Sequence, residues 1–236
     1  MGAPVAFAFS LLAVAFIGAD CGRLGLSGIT EIWKIKRGTV GIPPKEQAAR
    51  MARYVVHNSD WCSVSHVSRQ NQTYGYPQAR VFSMVDGPTY NSTGVPYIYV
   101  TLMDEGTQDL LKTGRCSMTM SLAQGDYCKN QSYDPEDPRC PQVILTGNCL
   151  KVPDQTEEWN FARNSLFCRH PIMARWPPGH QWIVMKLQVK NILLVDDIGG
   201  NKYPTVEEYF KAPPELKSDV EERADYSVVD IEVNAV

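Results

Sequence analysis

Histidine, positive charge in excess and long apolar runs are what this sequence has least of. Its 236 residues contain four histidines, and Lys plus Arg number 23 against 26 Asp plus Glu, a formal charge of -3. With no basic stripe, nothing electrostatic points to nucleic acid as a partner. No glycine-rich phosphate loop joins a strand to a helix, and neither a Gly-x-Ser-x-Gly elbow nor a His-Glu-x-x-His pair occurs. The spacing of Cys128, Cys140 and Cys149 includes no Cys-x-x-Cys pair, so a zinc site has little support. His57 and His66 fall in ordinary secondary structure and read as surface or satisfied core side chains.

The one uninterrupted apolar run is VAFAFSLLAVAFI at residues 5–17, followed by Gly18-Ala19-Asp20. It has the length of a signal-peptide core and falls short of the roughly 20 residues that span a bilayer. Residues 1–19 therefore read as a signal peptide cut after Ala19. No later stretch is long and apolar enough to cross a membrane, which predicts a soluble product in an oxidising, glycosylating compartment. Residues 20–42 mix Gly, Ser and Lys without a period and read as a flexible lead-in. Residues 213–236 hold seven Asp and Glu against Lys217 and Arg223, which predicts a disordered acidic tail.

Two other features agree with export. Asn71, Asn91 and Asn130 each begin an Asn-x-Ser/Thr sequon near turn-forming residues, and all three read as glycan sites on exposed loops. The stretch from Cys128 to Cys140 is rich in Pro, Asp and Asn and joins two predicted strands. Bridging its ends stabilises the fold by about 3 kcal/mol in the chain-entropy picture, so Cys128 is paired with Cys140. Pairing of Cys21, Cys62, Cys116, Cys149 and Cys168 stays open, because spacing does not show which strands are neighbours.

Between the two ends, residues 43–212 read as one domain. After Pro43-Pro44 a helix is expected, with Ala48, Met51, Ala52, Val55 and Val56 on one face. The dominant period then becomes two. Strands are predicted at 61–68, 80–85, 97–102, 116–122, 143–150 and 182–195, with a helix at 156–167. The clearest alternation sets Cys116, Met118, Met120 and Leu122 against Ser117, Thr119 and Ser121, a strand buried on one side. Thr205-Val-Glu-Glu208 opens a short last helix through a capping box. This is an α+β chain whose antiparallel sheet curls into a barrel with peripheral helices. Residues 170–182 carry two His, two Trp and three Pro. They suit a rigid corner better than an aromatic wall for a flat ligand.

Several segments follow one another in a distinctive order. They are Arg53-Tyr54 through Asp60-Trp61, Ser83-x-x-Asp86-Gly87-Pro88, Gly94-Val95-Pro96-Tyr97, Met118-Thr119-Met120-Ser121-Leu122-Ala123-Gln124 and the Cys128 to Cys140 loop. Ser165-Leu166-Phe167-x-Arg169-His170-Pro171 and Trp176-Pro177-x-x-His180-x-Trp182 complete the set, which spans about residues 43–210; Ile198-Gly199-Gly200 departs from the aromatic-Gly-Gly expected there. Together they resemble the CREG family, the cellular repressors of genes that an adenoviral early protein stimulates, and the resemblance implies a split β-barrel of the FMN-binding, pyridoxamine-phosphate-oxidase-like type, built as a homodimer. It also implies a secreted or endolysosomal glycoprotein, with an obstructed flavin pocket and a non-enzymatic role in growth restraint and differentiation. Mannose-6-phosphate receptors, reading the glycans, are the partner it implies.

The expectation is a non-catalytic protein without a cofactor. The alternative is an FMN-dependent oxidoreductase, in which the flavin carries the chemistry. Its phosphate would want Arg and hydroxyl donors, which Arg80, Ser83, Arg115, Ser117 and Thr119 could supply from adjacent strands. Direct repression in a nucleus conflicts with the export signal and the missing basic patch.

Overall fold

The computed structural model describes residues 41–213. The signal peptide, nearly all of the lead-in and the acidic tail lie outside the described residues. Six antiparallel strands close into a barrel in the order β1-β2-β3-β6-β5-β4. In chain order they are β1 (Trp61–Val67), β2 (Pro77–Val85), β3 (Tyr97–Thr101), β4 (Arg115–Ser121), β5 (Gln142–Lys151) and β6 (Trp182–Val195). The helices are α1 (Ala48–His57), α2 (Glu105–Thr113), α3 (Tyr127–Asn130), α4 (Glu157–Arg169) and α5 (Val206–Lys211).

The barrel is unevenly sewn. β1 and β2 pair from Trp61↔Ser83 to Val67↔Pro77, whereas β2 meets β3 only at Met84↔Ile98 and Val85↔Tyr97. The long β6 serves two neighbours, pairing with β3 through residues 182–186 and with β5 through 185–195. A bulge at Thr146/Gly147 leaves Lys190 unpaired in that ladder. Glycine is required there, because a Cβ on Gly147 would lie 2.0 Å from the Gln188 carbonyl oxygen.

Two apolar clusters hold the layers together. Inside the barrel, Met118, Met120, Leu145, Met185, Leu187 and Ile192 meet Met51, Ala52, Val55 and Val56 of α1, the helix face that the sequence spacing marks. Under α4, Val85, Tyr97 and Val184 pack on Ala162 and Leu166. The middle of β6 is thus covered on both sides, which is why Ile183, Val184 and Met185 are all buried in succession.

The strands match their sequence expectations closely, and the helices need four corrections, the smallest being the one-turn α3 at the start of the Cys128–Cys140 stretch. α1 begins at Ala48 after a turn in which Gln47 N–H donates to Pro44 C=O, so the diproline precedes the helix instead of opening it. α4 runs past 167 to Arg169, capped by Thr156 through the Trp159 amide. α2 escaped the sequence pattern altogether. Asp104 caps it by accepting from Thr107 N–H at 2.8 Å, and Gly114 ends it with φ 68°. Its inward face carries Thr107 and Asp109 beside Leu110, so the apolar period that marks a helix is broken by polar core residues.

Candidate functional site

The hydroxyl-bearing face of the barrel comes first, because it carries the candidate flavin ligands. Thr119 lies level with Ser63 and Val81, and Ser117 with Ser65 and Ala79, all on the outer surface. Ser83 is level with Trp61 on the same surface, and Arg115 with Asn148. β1 lies between β2 and β4, so these side chains do not come from adjacent strands as expected. Ser117 is engaged with the Thr146 hydroxyl at 2.8 Å.

Arg80 belongs elsewhere. It is level with the inward-facing Val64 and reaches out at the barrel end to Asp104, the α2 cap, at 2.6 Å. Within one chain, then, the five residues do not converge on a phosphate. They form part of a shallow, outward-curving surface on which a flavin would be mostly wet. Within a single chain the set does not fit the cofactor.

That outer face has another character. Val81 is 66% exposed and Trp61 40%, set among Ser63, Ser65, Ser83 and Thr119. Exposed apolar groups interleaved with hydroxyls on a regular sheet make a surface that can be covered without stranding buried charge.

The densest polar cluster was not legible in the sequence. Asp86 at the end of β2 is completely buried, and its Oδ1 takes a hydrogen bond from His57 Nδ1 at 2.7 Å. Its Oδ2 accepts from the Ser92 hydroxyl and from Gly94 N–H at 3.3 Å. Arg169 Nη1 approaches Oδ1 to 3.7 Å. Burial alone would raise this carboxyl, but the His57 bond and charge, the Ser92 hydroxyl and Arg169 outweigh it and hold Asp86 below the usual range. Arg53 extends the cluster, donating to Ser92 C=O at 2.8 Å and to Tyr209 C=O at 3.3 Å. Gly94 (φ 77°) lies so near that a Cβ there would stand 2.7 Å from Arg53 Nε.

A serine, a histidine and an aspartate thus meet, but not as a nucleophilic triad. Asp86 accepts from both partners, and the other nitrogen of His57 faces Thr89 C=O at 3.0 Å. Both ring nitrogens of His57 thus face oxygens without a proton to give, and the Ser92 hydroxyl is turned to Asp86 and not to the imidazole. The cluster instead ties α1, α4 and α5 to the loop at residues 86–96.

That loop exposes Asn91; Asn71 and Asn130 are exposed as well, at the short turn Asn71–Thr73 and at the end of α3. The Cys128–Cys140 bond is present, and Cys168 is also disulfide-bonded.

Two further sites complete the inventory. His66, buried at the end of β1, has Nε2 3.7 Å from Asp109 Oδ2 beside a hollow of about 40 Å³ shared with Ser68, Gln78 and Arg80. Burial pushes its pKa below the ordinary value, against the opposing pull of Asp109 and Asp104. In the 170–182 segment, Trp176 and Trp182 lie tilted against each other at 4.7 Å and stack on Tyr99 at 6.1 and 5.2 Å. The rings fill one another's faces, so this is a rigid corner.

Comparison with known proteins agrees with this geometry. The family model "CREG, beta-barrel" matches residues 43–211. Protein CREG1 of Gallus gallus is 44% identical over 182 residues, covering 76% of this chain and 93% of that protein. Protein CREG1 of Mus musculus is 41% identical over 178 residues (75% and 80%), and Protein CREG2 of Mus musculus 39% over 166 residues (70% and 57%). Among solved structures, a heme binding protein from Mycobacterium smegmatis superposes with a TM-score of 0.55 at 17% identity, covering 73% of this chain and 62% of that one. At that identity the likeness speaks for the split-barrel fold alone. No helix among the described residues is long and apolar enough to cross a membrane. With a matching family model across the whole barrel and relatives near 40% identity, the chain belongs to the CREG family.

Proposed function

We propose that this protein is a secreted or endolysosomal, non-catalytic glycoprotein that works by binding, as a homodimer, in growth restraint and differentiation or in lysosomal function. The observation that carries the reading is the outer face of β1, β2 and β4. Within one chain the residues that would have to hold a flavin there are divided between β2 and β4 with β1 between them, and one of them, Arg80, pairs with Asp104. The same face, with exposed Trp61 and Val81 among small hydroxyls, suits a second copy of the chain. Three exposed sequons and the apolar leader at residues 5–17 support passage through the secretory pathway. Mannose-6-phosphate receptors are the proposed readers of the glycans.

The experiment is purification of the protein from the medium of expressing cells, followed by light scattering and a visible spectrum. The expected result is a colourless, glycosylated dimer beginning near Asp20 that stays colourless after soaking in FMN. A yellow protein with about one flavin per chain would make an oxidoreductase the better reading. A chain that still began at Met1 and carried no sugar would remove the secretory part.

A further inference from the structure

The seven cysteines of the sequence are in different states. Cys128 and Cys140 are bonded to each other, and Cys62, Cys116 and Cys149 are free thiols. Cys168, the last residue but one of α4, is disulfide-bonded as well. The three free thiols are excluded as its partner by their state and also by their place. They face the barrel interior, whereas α4 packs through Ala162 and Leu166 on the opposite side of the sheet, against Val85, Tyr97 and Val184. The bond lies within one chain, so elimination leaves a single sulfur, that of Cys21. Cys21 lies outside the described residues, but whether it can reach α4 follows from the residues that are described. Arg169 Nη2 donates to Ser59 C=O at 2.9 Å and to Asp60 Oδ1 at 3.2 Å, which puts the end of α4 beside the end of α1. With ten residues, α1 is about 15 Å long. The stretch from Cys21 to Gly41 can extend over roughly 65 Å, several times that length. Cys168 is half-buried on the flank of α4, beside the core-facing row of Ala162, Leu166 and Arg169, so its sulfur is approached from outside the barrel.

We propose that Cys21 and Cys168 form a disulfide that straps the start of the mature chain to the end of α4. The ring so closed runs through α1, β1 to β5 and nearly all of α4, and leaves β6 and α5 outside it. The lead-in is then anchored at both ends, by this bond and by α1. Formation of the bond in the cell rests on the secretory reading. That reading supplies the oxidising lumen and, with a cut after Ala19, makes Cys21 the second residue of the mature protein. The electron acceptor is a disulfide of that lumen, either a small molecule or one carried by an oxidoreductase. One of the two thiolates attacks it, forms a mixed disulfide and releases one acceptor sulfur. The other thiolate then displaces the second acceptor sulfur. One S–S bond forms in the chain and one breaks in the acceptor, whose two sulfurs take up the two electrons and the two protons. The exchange takes place on the outside of the barrel, where Cys168 stands.

The test is a cysteine map of protein collected from the medium of expressing cells. Free thiols are blocked with N-ethylmaleimide in denaturant without reduction, the chain is digested, and its peptides are mapped by mass before and after reduction. Three labels are expected, on Cys62, Cys116 and Cys149, together with a peptide pair joined through Cys21 and Cys168 that separates on reduction. Cys168→Ser should raise the labels from three to four, the new one on Cys21. A label or a small-thiol adduct on Cys168 of the wild-type chain would overturn the proposal, and so would a link from Cys168 to any other cysteine or to a second copy. If no protein reaches the medium, the secretory reading fails by itself. The same map of the full chain, refolded in a glutathione buffer, then decides the pairing by the same outcomes. The wild-type map is sufficient even if the variant folds poorly.

Discussion

Asp86→Ala should be among the most damaging single changes in the barrel. The carboxylate is fully buried and takes bonds from His57, Ser92 and the Gly94 amide, with Arg169 close by. Hydrogen bonds to a charged group contribute about 1.5–3 kcal/mol each, and they are not additive in a shared network. A better guide is the removal of one partner from a buried ion pair, which costs about 3–5 kcal/mol because the cation is left desolvated. For a domain of this size that lowers Tm by about 6–20 °C. Asp86→Asn keeps an acceptor and should lose roughly half as much.

The pH dependence carries a definite sign. Asp86 is held below its ordinary value of 3.8, so its contribution is fully present above that pH and is lost as pH falls through the folded-state value. The assay is urea unfolding of the full chain at pH 7 and again in acid. The Ala penalty should shrink in acid, where the wild-type carboxyl is itself protonated. A penalty below about 1 kcal/mol, or one unchanged by pH, would refute the idea that this charge organises the 86–96 loop.

Other outcomes can be checked with simpler means. His66 titrates below its ordinary 6.5 because it is buried, so the folded chain binds fewer protons there than the unfolded one and stability falls as pH drops below 6.5. His66→Gln should flatten that slope in thermal melts between pH 7 and 5, and an unchanged slope would place its origin elsewhere. Gly147→Ala pushes a methyl to 2.0 Å from Gln188 C=O and should cost about 3 kcal/mol by equilibrium unfolding. Replacing Asn71, Asn91 or Asn130 by Gln should each remove one glycan from the intact mass of the secreted chain. A sequon whose loss leaves the mass of attached sugar unchanged is not used.

What the sequence conveyed depended on whether its signal was local. The alternation of Cys116, Met118 and Met120 with Ser117 and Thr119 reports a one-sided strand directly, and burial follows it residue by residue. The Thr205–Glu208 capping box and the Cys128–Cys140 bond are also short-range, and both are present. Strand order is not local. Nothing in the spacing of β2 and β4 says that β1 separates them, so Ser83, Ser117 and Thr119 looked like neighbours of Arg80. Arg80 itself was misread because its partner, Asp104, caps the helix that the apolar period failed to announce. The Asp86 cluster had a faint trace in the Asp-Gly-Pro turn followed by Ser92, Thr93 and Gly94. Its other members, His57 and Arg169, come from helices distant in the chain, and only the folded barrel brings them together.

The two-pair seam between β2 and β3 sets where this cylinder is weakest. From Pro77 to Ser83, β2 has a pairing partner on one side only among the described residues, so half its amides lack a ladder bond. Opening there costs little, and amide exchange should begin in that stretch while β5 and β6 stay closed. The same bare backbone invites an extra strand from outside, and the proline at its start and the charged Arg80 along its length are the kind of features that discourage such additions.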